Sequence, residues 1–195
     1  MTHSDADARD VLIVVDVQND FCEGGALAVE GGAAAASAIS AYLAHSPGYD
    51  VVVATRDWHV DPGTHFSDDP DFVESWPVHC VAESEGAQFH PNLRYRTFDG
   101  VFGKGQRDAG YSGFSGKENH TRAKLGDFLR ARGVHEVDVC GIATDYCVRA
   151  TAIDAARSGF DTTVLVDLTA AVDPGNLKAV KAELTGAGVR VRHTA

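Results

Sequence analysis

Val11-Leu-Ile-Val-Val15 is an unbroken run of apolar, mostly β-branched residues, and Val51-Val-Val-Ala-Thr55 repeats the pattern. A strand with one wet face alternates apolar and polar side chains. Unbroken runs need cover on both faces, which is the condition of a parallel sheet between helices. Val137–Ile142 and Thr162–Asp167 read as further strands of this kind. Thr97–Phe102 is a weaker strand, and Gly188–Arg192 alternates as an edge strand does. Ala33–Ala44 places Ile39, Tyr42 and Leu43 at helical spacing before Ser46-Pro-Gly48. Asn119–Arg132, Cys147–Arg157 and Pro174–Leu184 read as three more helices. The expected fold is α/β: an open, mostly parallel six-stranded sheet with helices on both faces, joined by right-handed crossovers.

The length, 195 residues, suits one domain, expected to span residues 11–195. Residues 1–10 are polar, lack the apolar segment of a signal peptide, and read as a flexible tail. The net charge of -11 disfavours nucleic acid or an anionic membrane surface as a partner. No apolar run approaches the length of a membrane span. Cys22, Cys80, Cys140 and Cys147 form no CxxC pair, so reduced thiols and a cytoplasmic location are expected. Monomer and homodimer are both compatible with the sequence.

In open parallel sheets, ligands bind outside the carboxyl ends of the strands. Several reactive side chains follow strands here. Asp16 ends the first apolar run. Arg56-Asp57-Trp58-His59 and His65 follow the second, with His79 further on in Trp76-Pro-Val-His79. Three imidazoles and a carboxylate form a plausible shell for one divalent cation such as Fe, Mn or Zn. The plain alternative is a set of exposed loop histidines, which a chain with nine histidines can supply. Trp76 beside such a cluster could stack on a flat ligand, or simply pin the long loop of residues 67–96. Lys104 stands between two glycines after the weak strand. It can be a fixed cation in a cleft or an ordinary exposed lysine.

Gly141-Ile-Ala-Thr-Asp-Tyr-Cys147 is a strand-to-helix turn, with Thr144 or Asp145 as candidate N-cap. Cys147 then lies in the first helical turn, where N–H groups and the helix dipole favour a thiolate. The alternative is a small buried apolar residue. There is no GxGxxG after the first strand and no GxxxxGK[ST], so a nucleotide would lack its phosphate cradle. A carboxylate, an ammonium and a thiol in one cleft make a nucleophilic set. Asp16 would take the thiol proton and Lys104 would stabilise the charged pair. The N–H groups of Ala143 and Cys147 would hold an oxyanion. The chemistry this allows is amide hydrolysis without a catalytic histidine.

Val11–Gly25, Asp57-Trp-His59 with His65, Trp76-Pro-Val-His79-Cys80, Val101-Phe-Gly-Lys104-Gly and Gly141–Val148 resemble, in order, the nicotinamidases of the isochorismatase-like cysteine hydrolases, most closely the actinobacterial pyrazinamidase/nicotinamidase type. The resemblance runs over nearly the whole chain after Arg9. It implies an Asp16–Lys104–Cys147 triad and a metal held by Asp57, His59, His65 and His79. It implies a cis peptide between Ile142 and Ala143. It implies a pyridine ring, that of nicotinamide or pyrazinamide, between Phe21 and Trp76, with Tyr111, Ile142 and Ala143 lining the pocket. Its implied role is a salvage step toward NAD. Two positions depart from the pattern, Tyr146 for a histidine and Gly103 for a bulkier residue, and both are expected to bear on pocket shape. The other readings are a cysteine amidase for a carbamoyl or ureido compound, and a non-enzymatic metal or interaction module on the same fold.

Overall fold

The computed structural model describes residues 9–45 and 48–194. The tail expected for residues 1–10 lies outside them, apart from Arg9 and Asp10, which begin the first strand; so do Ser46 and Pro47 of the expected helix stop. The strands are β1 (Arg9–Val15), β2 (Val51–Asp57), β3 (Gly100–Lys104), β4 (Lys117–Glu118), β5 (Val134–Ile142), β6 (Asp161–Ala170) and β7 (Arg190–Arg192). The α-helices are α1 (Gly32–His45), α2 (Leu125–Arg130), α3 (Arg149–Arg157) and α4 (Leu177–Gly186). One sheet has the order β4-β3-β2-β1-β5-β6-β7. Every pairing is parallel except β3 with β4.

The apolar run of β1 explains its central place. Val11, Ile13 and Val15 face one core, with Leu125, Phe128 and Leu129 of α2, Ala152 and Ile153 of α3, and Val180 and Leu184 of α4. Leu12 and Val14 face the other, with Ala35, Ala36 and Ile39 of α1. Both faces of β1 are therefore covered, as the sequence requires. The chain leaves β1 toward β2 on one side, and β5 pairs on the other. The crevice at the end of β1, between the ends of β2 and β5, is the switch point of the sheet.

Two elements differ from expectation. The sheet has a seventh strand, the two-residue β4, paired antiparallel to β3. The helix expected over 119–132 shrinks to α2. The Glu118 carboxylate accepts the N–H groups of His120 and Thr121 and the Thr121 hydroxyl. Lys117 then bridges to Lys124, closing a small turn where helix was expected. The short polar bonds win over helix propensity because they satisfy the same backbone groups locally. β7 lies at the edge of the sheet, as its alternation predicted.

Gly141 sits opposite Val15 in the β1–β5 ladder with φ +116. A Cβ there would lie 2.1 Å from the Val15 carbonyl oxygen. Backbone cannot swing aside as a flexible side chain can. Gly141→Ala is therefore expected to destabilise the fold by about 3 kcal/mol or more. Urea unfolding checks this: the midpoint should fall sharply, and an unchanged midpoint would show that β1 and β5 can part at no cost.

Candidate active site

Four strand ends meet at the switch point. Asp16 directly follows β1, Asp57 ends β2, Lys104 ends β3, and the Cys147 turn follows β5. The β2–β3 register pairs Asp57 with Lys104. Lys104 is thus inside its strand rather than past it, and it is 2 % exposed, not a surface lysine. Asp16 leaves β1 with φ +48, and its N–H still donates to the Thr55 carbonyl at 3.2 Å.

The Lys104 ammonium lies 2.8 Å from Asp16 Oδ2, bonds to Asp57 Oδ1, and is 3.5 Å from Cys147 Sγ. An oxygen of each carboxylate and the Cys147 sulfur lie within 4.8 Å of one another. The Thr55 hydroxyl donates to Asp16 Oδ1 at 2.7 Å. Burial pushes the Asp16 carboxyl up; Lys104 opposes this, while the Asp57 charge adds to it. Burial works against the Lys104 charge too, but Asp16, Asp57 and Cys147 hold it well above the usual lysine range. Burial also pushes the Cys147 thiol well up. Lys104 opposes that, and the two carboxylates reinforce it. The expected pull of the helix end toward a resting thiolate is outweighed. The resting arrangement is a thiol beside a carboxylate and an ammonium.

The turn carrying Cys147 is a π-turn, Thr144–Val148, entered from a cis peptide between Ile142 and Ala143. The Ala143 carbonyl accepts from both Tyr146 and Val148. Neither Thr144 nor Asp145 is the cap: Ala143 occupies that position, and the turn has no side-chain cap. The Asp145 carboxylate instead accepts the N–H groups of Val172 and Asp173 at 2.9 and 2.8 Å. It ties the nucleophile turn to the segment beyond β6.

His59, His65 and His79 bring one ring nitrogen each to within 4.8 Å of the others, and all three are buried. His59 Nδ1 bonds the Gly105 carbonyl and His79 Nδ1 bonds the Pro77 carbonyl at 2.7 Å. Those bonds leave the Nε2 lone pairs of both rings pointing inward. His59 Nε2 and His65 Nδ1 are buried without a hydrogen-bond partner among the described residues. Such orphans are rare in a folded chain and fit the donor set of a divalent cation. Burial pushes His79 down to about 4, against the Pro77 hydrogen bond. Burial and the neighbouring His59 also lower His65. These two imidazoles are neutral at neutral pH, as ligands must be. Asp57 Oδ2 lies 3.6 and 4.0 Å from the Nε2 atoms of His59 and His79. Burial would raise the Asp57 carboxyl, but Lys104 and His59 hold it below the usual range. One carboxylate therefore faces the ammonium with one oxygen and the imidazoles with the other.

A single pocket opens over both groups. Phe21, Trp76, Tyr111, Ile142 and Ala143 line it, together with Asp57, His65, His79 and Cys147. His59 stands behind them, where a Cβ on Gly105 would come 2.6 Å from its ring. The Trp76 indole N–H donates to Tyr111 Oη at 2.9 Å. Tyr146, expected to bear on pocket shape, does join the wall, and so do Leu27, Val29 and Val172, which the sequence did not mark. The position of Tyr146 beside the nucleophile was the available signal; nothing marked Leu27 in its polar loop. Gly103 does not line the pocket: a Cβ there would meet Asn119 and Trp58 at ordinary contact distance.

Residues 10–195 match the isochorismatase domain family. The chain is 56% identical over 180 residues to the nicotinamidase/pyrazinamidase of Mycobacterium tuberculosis, covering 92% of this chain and 96% of that protein. The structure of PnC1 from L. infantum in complex with nicotinate superposes with a TM-score of 0.83 and 37% identity, over 100% of this chain and 97% of that one. The pyrazinamidase of Pyrococcus horikoshii in complex with zinc gives a TM-score of 0.78 and 35% identity, over 95% of this chain and 99% of that one.

Lys104 is the only cation among the described groups that touch both carboxylates. Lys104→Met is expected to cost about 3–5 kcal/mol, because it strands buried carboxylates. Adding Asp16→Asn should return part of that loss, giving a coupling measurable by a double-mutant cycle. Strictly additive losses would show that the pair does not interact.

Proposed function

We propose that this chain, which belongs to the isochorismatase family, hydrolyses nicotinamide to nicotinate and ammonia through a thioester on Cys147. The observation that carries the reading is the Asp16–Lys104–Cys147 set, whose Cys147 lines an aromatic-walled pocket shared with His65 and His79. Relatives with this activity in their names cover nearly the whole chain.

The pyridine ring enters between Phe21 and Trp76, with Tyr111 and Tyr146 at its edge. Asp57, His59, His65 and His79 would hold one divalent cation, Fe, Mn or Zn, which supplies a position for the ring nitrogen and so orients the ring. Cys147 gives its proton to Asp16, and Sγ attacks the carboxamide carbon. The N–H groups of Ala143 and Cys147 receive the charge that develops on the carbonyl oxygen. Protonated Asp16 delivers its proton to the amino group, the C–N bond breaks, and ammonia leaves a nicotinoyl thioester. Asp16, again a carboxylate, takes a proton from water as the water oxygen attacks the thioester carbon. The C–S bond breaks, the sulfur regains its proton from Asp16, and nicotinate departs. Lys104 keeps its charge throughout and offsets the carboxylate and thiolate in turn. Pyrazinamide keeps the same relation between its carboxamide and a ring nitrogen, so the same contacts accept it. Nicotinate so formed feeds NAD salvage. The four thiols are free and buried, which supports a reducing, cytoplasmic setting. No helix among the described residues is long and apolar enough to cross a membrane.

Purified protein is expected to release ammonia from nicotinamide. Cys147→Ala should lower kcat/KM by about 10³-fold or more. Prolonged chelation should suppress turnover, and Mn or Zn should restore it. Full turnover by Cys147→Ala would refute the nucleophile, and full turnover by verified metal-free protein would refute the positioning role of the cation.

A further inference from the structure

We infer that Gln18 is a positioning residue, which holds Asp57 in the one orientation that serves both the ammonium and the imidazoles. The inference rests on the hydrolase reading above for what Asp57 does, and on the geometry alone for what Gln18 does to Asp57.

The β1–β2 ladder stops at Val15 and Thr55. Beyond it the chain turns sharply at Asp16, and the Gln18 N–H closes the turn on the Asp16 carbonyl at 2.8 Å. Asp57 therefore has no backbone partner on its β1 side. The carboxamide of Gln18 fills that place. Its Oε1 accepts the Asp57 N–H at 2.8 Å, and its Nε2 donates to the Asp57 carbonyl at 2.8 Å. This reciprocal pair reproduces with a side chain what a neighbouring strand would offer. The second Nε2 hydrogen donates to the Ala87 carbonyl at 2.9 Å. Gln18 is 0 % exposed, and both donors are used.

On its other side Asp57 pairs with Lys104 in the β2–β3 ladder, and Trp58 N–H donates to the Lys104 carbonyl at 3.0 Å. The Asp57 peptide is thus clamped from both sides, which fixes the direction of its Cα–Cβ bond and so where its carboxylate starts. Its two oxygens divide between Lys104 and the rings of His59 and His79. A small rotation would weaken both contacts together. Second-layer partners of metal ligands typically change affinity or activity by about 10–100-fold when removed. Asp16 and Gln18 stand two residues apart, so one short segment carries the proposed base and the clamp on the shared carboxylate.

The test compares wild type with Gln18→Glu, which keeps the shape and one acceptor but loses both donors, and with Gln18→Met. Tyr49→Phe, which removes a hydroxyl bonded to Asp138 far from the site, is the control for general destabilisation. Zn²⁺ affinity is read by chelator competition on metal-free protein, folding by circular dichroism and thermal unfolding, and kcat and KM for nicotinamide at saturating metal. Folded Gln18 variants are expected to bind Zn²⁺ at least about 10-fold more weakly and to lose kcat, with Tyr49→Phe unchanged in both. Wild-type Zn²⁺ affinity in either Gln18 variant would overturn the inference. So would aggregation of both with and without Zn²⁺, which would assign Gln18 to the fold alone. Wild type that binds no Zn²⁺ or other divalent ion would overturn it as well. Wild type that binds Zn²⁺ but leaves nicotinamide intact would refute only the activity, and the affinity comparison would still decide the role of Gln18.

Discussion

Everything at this site depends on one buried ammonium placed between two buried carboxylates. Asp16, Lys104 and Asp57 are almost fully withdrawn from water. Taking such charges out of water costs several kcal/mol each, and only close opposite charge offsets it. Lys104 meets one carboxylate just past the end of β1 and the other at the end of its neighbouring strand β2. The arrangement leaves a net negative cluster beside a thiol. Burial raises both Asp16 and Cys147; the neighbouring carboxylate charge adds to this, and Lys104 opposes it.

The sheet delivers these groups by register. Residues 57 and 104 are far apart in sequence but lie side by side in the β2–β3 ladder. Gly141 allows β5 to approach Val15 of β1, which brings the Cys147 turn next to Asp16. The loop between β2 and β3 has little regular structure, yet it is firmly tied. His65 and Trp76 pair through Trp76 N–H to His65 carbonyl at 2.8 Å. The Asp20 carboxylate, from the loop after β1, accepts from the N–H groups of Cys80 and Ala26 at 2.7 and 3.2 Å. Asp71 accepts from Val73, Glu74 and Ser75. Side-chain acceptors thus do for this loop what ladder bonds do for the sheet.

Much of this was legible in the residues. The apolar run of Val11–Val15 required cover on both faces, and β1 has it. Strand ends followed by Asp16, Lys104 and Cys147 pointed to one rim, and the spacing of Asp57, His59 and His65 pointed to a cluster. What was not legible depends on contacts between distant segments. The double duty of Asp57 comes from strand register, which composition does not encode. The shortening of the helix to Leu125–Arg130 comes from one carboxylate, Glu118, binding three local donors. Leu27 and Val172 join the pocket wall through loop paths that no periodicity marks. The helix dipole argument for a thiolate at Cys147 was sound locally, but nearby carboxylates and burial outweigh it.

The central claim is that the Cys147 sulfur, not a water molecule, makes the first attack on the carboxamide. Acid quenching during steady-state turnover of nicotinamide, followed by intact and peptide mass spectrometry, tests it most directly. The account predicts a nicotinoyl group on the peptide containing Cys147, absent from unreacted protein and from Cys147→Ala. Sustained turnover in which Cys147 is never acylated, in quenches fast enough to capture a single turnover, would contradict it and place the first attack on water.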